Sequence, residues 1–309
     1  MRTLYITHDI ALRHEMGAGH PERPDRLRAI ARELQGDQFR DLVRAEARRG
    51  DRAAVLRVHP EGYVEAIETA VPDQGYARLD GDTVMNPFSL DAAMHATGAV
   101  CQAVDAVMKR EADNAFVAMR PPGHHAETQT AMGFCIFNNV AVAARHAQTA
   151  HGVERVAIMD FDVHHGNGTQ EIFWADRSVL FSSTHQMPLY PGTGALGERG
   201  DHDTIVNAPL RPGDGGERFR EAMETRILPR IAAFGPDLII VSAGFDAHHR
   251  DPLANLKFTE EDFGWATAKL MELADRHCGG RLVSSLEGGY DLEGLSKSVG
   301  AHVKRLMGG

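Results

Sequence analysis

Four short apolar runs restrict what this chain can fold into. NAFVAM (114–119), RVAIMD (155–160), DLIIVSA (237–243) and RLVSSLE (281–287) are each followed at once by a turn rich in glycine, histidine or acid: RPPGHH, FDVHHGNG, GFDAHH and GGYD. Runs that are apolar nearly throughout, rather than alternating, suit strands covered on both faces, as in a parallel sheet. Helical patterns lie between most of them, at 138–150, 217–234 and 259–277, the last with Thr259 as N-cap and Asp262 in the capping-box position. Upstream, RTLYIT (2–7) reads as a strand and PDRLRAIAREL (24–34) as a helix with Pro24 in its first turn. Residues 89–110 carry apolar groups at helical spacing. The expected class is α/β, with a central parallel sheet and helices on both faces.

Consecutive parallel strands point the same way, so the residues that follow them gather along one rim of the sheet, where open α/β folds keep their sites. That rim receives two histidines at 124–125, the cluster DFDVHH (160–165), DAHH (246–249) and Tyr290. If the third strand continues a few residues, Asp162 and His164 face the same side as i and i+2. With Asp246 they make three protein ligands and leave one position open, the pattern of a catalytic metal site. Two carboxylates and one imidazole suit Zn²⁺ and also admit Fe²⁺ or Mn²⁺. Carboxylates at strand ends also cap helices, and His165, His248 and His249 are rival ligands that spacing does not eliminate. His124 and His125 suit acid–base work, with Asp160 orienting one of them. Alone, Tyr290 and Phe134 read as packed aromatics.

The chain has 309 residues, 43% hydrophobic and 25% charged, ample for one sizeable core, and residues 1–309 are expected to form a single domain. A net charge of −10 argues against nucleic acid and against an anionic membrane surface as partners. Cys101, Cys135 and Cys278 form no CxxC pair and are odd in number, so neither a disulfide framework nor a thiolate metal site is expected. The opening MRTLYITHDIALRHEMG holds no apolar stretch of signal-peptide length. A cytoplasmic protein is the expectation, with a homo-oligomer left open.

Taken together and in order, GHPERPDRL (19–27), RPPGHHA (120–126), GFCIFNNVAVAARHA (133–147), MDFDVHHGNGTQEIF (159–173), YPGTG (190–194), SAGFDAH (242–248) and LEGGYDL (286–292) resemble the metal-dependent histone deacetylase family, in particular its class II branch and the bacterial amidohydrolases related to it. The resemblance implies an arginase/deacetylase fold with a parallel sheet of about eight strands. It implies a zinc-dependent deacetylase that hydrolyses acetyl-lysine and releases acetate. Asp162, His164 and Asp246 would hold the zinc, His125 would be the general base, and His124 would be an electrostatic partner bonded to Asp160. Tyr290 would donate to the developing oxyanion. Gly133, Phe134 and Tyr190 would line a narrow tunnel, Asp82 (with Thr83 as a rival) would contact the substrate backbone, and Arg23 would lie near an internal cavity for acetate. Structural K⁺ would be held by Asp160, Ser183 and carbonyls including those of Asp162, His164 and Thr184, with a second cation near Phe173.

Two positions depart from common family patterns. Asn167 stands five residues after Asp162, where the class I pattern has an aspartate, and an amide supports a cationic His125 less well. Tyr190 stands where many relatives have phenylalanine. The alternative reading is an acetylpolyamine or other small N-acyl amide hydrolase. Some polyamine-selective relatives carry an acidic gate seven residues after the third ligand, and here that position is Leu253. A dinuclear arginase would need more carboxylate ligands. A non-catalytic binding module would be expected to lack the tyrosine or a ligand.

Overall fold

The computed structural model describes residues 1–309. Eight parallel strands form one sheet: β1 (Thr3–Thr7), β2 (Val43–Glu46), β5 (Asn114–Val117), β6 (Val156–Asp160), β7 (Val179–Gln186), β8 (Ile205–Leu210), β9 (Leu238–Ala243) and β10 (Leu282–Leu286). β3 (Ala77–Arg78) and β4 (Val84–Met85) make a separate antiparallel ribbon. The spatial order is β2-β1-β5-β10-β9-β6-β7-β8, so the four apolar runs read from the sequence are the four adjacent strands at the centre. Every residue of those four strands is buried, which is why they carry no polar alternation.

The helices Ser89–Met108 and Asn139–His151 pack against each other, and Asp25–Glu33, Glu260–Cys278 and Leu292–Leu306 form a second group. Together they sandwich the sheet, and one contiguous core of 74 buried residues runs through the layers, so no boundary divides the fold. Asp262 accepts from the Thr259 N–H at 2.9 Å, as a capping box requires. The 217–234 stretch is helical without a break from Gly216 to Phe234, but not uniformly α. It is Gly216–Ala222, a π turn at Met223–Ile227, and Leu228–Phe234. Pro229 lacks the N–H that would continue the ladder there.

His302 is buried between Thr267 and Ser284, with ring nitrogens 2.6 and 2.9 Å from their hydroxyls. Burial lowers its pKa to about 3, below the ~6.5 of an unfolded chain. The unfolded state therefore binds the extra proton as pH falls below about 6.5, and stability is lost progressively down to about 3. Between pH 7 and 5 this one group is expected to cost about 2 kcal/mol. Urea melts of the wild type and a His302→Gln variant check this: the acid-induced loss should be smaller in the variant by roughly that amount.

Candidate active site

β6 ends at Asp160, so Asp162 and His164 do not meet as alternate residues of a strand. They lie in the following loop, shaped by two successive side-chain turns. Asp160 Oδ1 accepts from the Asp162 N–H at 3.0 Å, and Asp162 Oδ1 accepts from the His164 N–H at 2.9 Å. The loop after β9 delivers Asp246, whose Oδ1 accepts from the Val163 N–H at 2.8 Å. His164 Nδ1 then lies 3.1 Å from both Asp162 Oδ1 and Asp246 Oδ2. One ligand atom from each of the three residues falls within 4.8 Å of the others, near enough to reach a common ion. The rival histidines face elsewhere. His165 bonds Thr193 and Gln170, His248 faces Glu260 at 3.6 Å, and His249 bonds the Phe258 carbonyl.

The charge balance shows that these residues fit a metal. Asp160, Asp162, Asp246 and Glu287 are all fully buried. Arg26, the neighbouring guanidinium, pairs with Glu22 and spends its other donors on the Glu287 and Gly289 carbonyls. Only His124 and His164 remain beside these four acids, and burial raises Asp160 to about 6, Glu287 to about 7, and Asp246 above the usual carboxylate range. Burial opposes charging these imidazoles, yet the carboxylates outweigh it and raise both pKa values to about 10. A cluster that draws protons this strongly also suits a cation. Gly288 lets the chain come this close: a Cβ there would lie 2.1 Å from Asp246 Oδ2.

The loop after β5 brings His124 and His125 over the cluster, with ring centroids 4.0 Å apart. His124 Nδ1 lies 2.9 Å from Asp160 Oδ2. His125 Nδ1 lies 2.8 Å from Asn167 Oδ1. An amide oxygen can only accept, so Nδ1 carries the proton and Nε2 keeps its lone pair. Burial, then the neighbouring His124 and His164, hold His125 well below the usual imidazole range. Tyr290 is fixed through its backbone N–H, which donates to Asp251 at 2.7 Å, while its hydroxyl has no hydrogen-bond partner in the protein. Burial raises its pKa well above the usual value against the opposing Arg26 charge, and Asp246 and Asp162 raise it further, so the phenol stays a donor.

An aromatic wall surrounds these groups. Tyr190 lies edge-on to His125 at 5.2 Å, and Phe134 edge-on to Tyr290 at 5.9 Å. Gly133 closes over His125, where a Cβ would lie 2.3 Å from the ring, and its φ of +57° suits glycine. Asp82 and Thr83 hold this turn, accepting at 3.0 Å from the Gly133 and Phe134 N–H groups respectively. Leu253 is half-buried and donates its N–H to Asp251.

Arg23 does not line an internal cavity. Its side chain is 47% exposed and lies 3.8 Å from Asp25. Arg26, the second residue of the helix Asp25–Glu33, is fully buried, 5.0 Å from the Tyr290 ring, and the equally buried Arg120 pairs with the same Glu22. Of the residues expected around K⁺, Asp160 and Ser183 are register partners on β6 and β7. The Thr184 hydroxyl is buried without a partner, and the Asp162 and His164 carbonyls accept no hydrogen bond. These oxygens fit a hard cation. Phe173 is packed, with its carbonyl accepting from Asp176 and Arg145 over its ring.

Three carboxylates that no motif pointed to, the buried Glu287 and Asp251 and the half-buried Glu127, fasten the site. Glu287 accepts from the Gly123 and His124 N–H groups, Asp251 from those of Tyr290 and Leu253, and Glu127 from the Asn167 amide at 2.8 Å.

A parallel sheet whose central rim joins a three-ligand cluster to an oriented histidine pair and a free tyrosine hydroxyl has the layout of a metal-assisted hydrolase. The histone deacetylase domain model matches residues 20–306, and this chain belongs to the histone deacetylase family. It is 45% identical over 301 residues to "Uncharacterized protein slr0245" of Synechocystis, covering 96% of each chain. It is 42% identical over 280 residues to the histone deacetylase-like amidohydrolase of Pseudomonas aeruginosa, covering 88% of this chain and 73% of that one. The crystal structure of the HDA15 HD domain superposes with a TM-score of 0.93 at 39% identity, over 100% of this chain and 90% of the other. The protein is therefore a hydrolase of the deacetylase type, from a family that is generally metal-dependent.

Proposed function

We infer that the protein hydrolyses the N-acetyl amide of lysine side chains, with Zn²⁺ held by Asp162, His164 and Asp246. The observation that carries this reading is the free Tyr290 hydroxyl beside a three-ligand cluster and an imidazole whose Nε2 lone pair faces no competing donor. Bound zinc supplies a Lewis acid and lowers the pKa of water from 15.7 towards about 7. His125 Nε2 takes the proton from the attacking water, while Asn167 holds its Nδ1–H. Tyr290 donates to the carbonyl oxygen as it gains negative charge. The His124–His125 pair returns a proton to the leaving amine, and Asp160 supports the cationic form of His124. Phe134 and Tyr190 flank an alkyl chain, and Asp82 holds the wall and meets the substrate backbone. Asp160, Ser183, Thr184 and the Asp162 and His164 carbonyls take K⁺, with a second cation near Phe173. Three unpaired cysteines suit a reducing, cytoplasmic setting.

Glu127 offsets the missing class I aspartate at one remove. Its carboxylate fixes the Asn167 amide and places negative charge behind His125. Glu127→Gln is expected to lower kcat by about tenfold with little change in KM, and to shift the basic group's pKa in the pH–rate profile downward. An unchanged profile would remove Glu127 from the account.

Leucine at 253 sets no charge that would select a second amine, which favours lysine in a peptide over a polyamine. Comparison of kcat/KM on an acetyl-lysine peptide and on N-acetylputrescine tests this. Preference for the peptide is expected. Preference for the diamine would overturn the lysine assignment and leave the deacetylase chemistry standing.

A further inference from the structure

The helices Ser89–Met108 and Asn139–His151 carry a second group of potential ligands that shares no residue with the rim. Asp105 Oδ1 receives two imidazoles at once, His146 Nε2 at 2.8 Å and His151 Nε2 at 2.7 Å. The three ligand atoms lie within 4.8 Å of one another, and the rings stand nearly perpendicular, 77° apart. The side chains are 34%, 16% and 14% exposed, so they are shielded but reachable. Asp105 Oδ2 makes no hydrogen bond. A surface hollow of about 220 Å³, bordered by Arg57, Cys101, Gln102, Asp105 and His146, opens beside the cluster. The geometry points to a second, exchangeable site for a divalent transition ion, held by Asp105, His146 and His151 and completed by water from the hollow.

The donor set fixes the class of ion. Two imidazoles and one carboxylate suit Zn²⁺, Ni²⁺ or Co²⁺, whereas Mg²⁺ and Ca²⁺ need mainly oxygen. Ligand atoms 2.7–2.8 Å apart must spread to about 3.3 Å around an ion with bonds of about 2.0 Å, a shift partly exposed side chains can make.

The surroundings keep the site weak. Ligation through Nε2 requires the proton on Nδ1. His151 Nδ1 has no partner and can accept that change. His146 Nδ1 faces Arg57 Nη1 at 3.3 Å, so Arg57 must swing away, and its charge and that of Lys109 oppose a cation. Arg57 is exposed, so solvent can take the place of this bond. This arrangement describes an ion that comes and goes with its supply, bridging two helices that cover the sheet.

Calorimetric titration of Zn²⁺ into metal-stripped protein, with thermal melts at each stoichiometry, tests the proposal without reference to hydrolysis. The wild type should bind a second, weaker equivalent that raises its melting temperature. Arg57→Ala should bind it several-fold tighter. His146→Ala/His151→Ala should lose it and keep the first, and His151→Gln, at the helix end, should weaken it without disturbing the fold. Asp162→Asn should lose the tight equivalent and keep the weak one, which separates failure here from failure at the rim. A second equivalent that persists in the double variant would overturn the proposal. So would its absence from both the wild type and Arg57→Ala, which would leave the cluster as a hydrogen-bonded tie between helices.

Discussion

Asp162→Ala is expected to lose the tightly held metal and with it turnover, by at least about 10³-fold. Asp162 has two tasks in the structure. It supplies charge to the three-ligand cluster, and its oxygens accept from the His164 N–H at 2.9 Å and the Gly288 N–H at 2.8 Å. Alanine removes the ligand and orphans two buried donors, each costing about 1–3 kcal/mol. Some loss of stability should accompany the loss of metal. Asp162→Asn separates the effects, because its amide oxygen can still shape the loop while the charge is gone. Elemental analysis of both variants, paired with thermal melts, is the check. Full metal occupancy in folded Asp162→Ala would show that the ligand set is wrong.

Tyr290→Phe is expected to keep metal and fold and to lower kcat by about 10²–10³, the usual effect of deleting one donor to a developing oxyanion. Little else depends on the hydroxyl. The ring keeps its contact with Phe134 and its place beside Arg26, and the backbone keeps its bond to Asp251. The substitution therefore isolates one hydrogen bond made only to substrate. KM should change far less than kcat, because the bond strengthens as charge develops. An unchanged kcat in a metal-replete preparation would remove Tyr290 from the chemistry.

The centre of the sheet was legible because it is buried on both faces. β5, β6, β9 and β10 are apolar runs for that reason, and their shared direction was enough to place their turns on one rim. Of the flanking strands, β1 was legible as RTLYIT, whereas β2, β7 and β8 were not. β7, VLFSSTHQ, is as buried as the others, yet five of its eight residues are polar, with Ser183 and His185 bonding each other and Ser182 bonding the Ile158 carbonyl. β8 contains Pro209, and β2 is a short edge strand with every second residue exposed.

Within the site, residue types were legible and the geometry behind them was not. Asp162 and His164 meet through two side-chain turns, which no strand periodicity encodes. The choice between Arg23 and Arg26 was available in principle. Arg26 and Ile30 are one helical turn apart on a buried face, whereas Arg23 precedes the helix. Glu127, Asp251 and Glu287 work by accepting from particular backbone or amide N–H groups, and no spacing in the sequence announces such partners.

X-ray absorption at the zinc edge, on protein loaded with a single equivalent, tests the central claim most directly. The account predicts one imidazole nitrogen and two carboxylate oxygens among the neighbours at about 2.0–2.2 Å, and loss of this signature in Asp246→Ala. A shell rich in imidazole or sulfur, or one unaltered by Asp246→Ala, would contradict it.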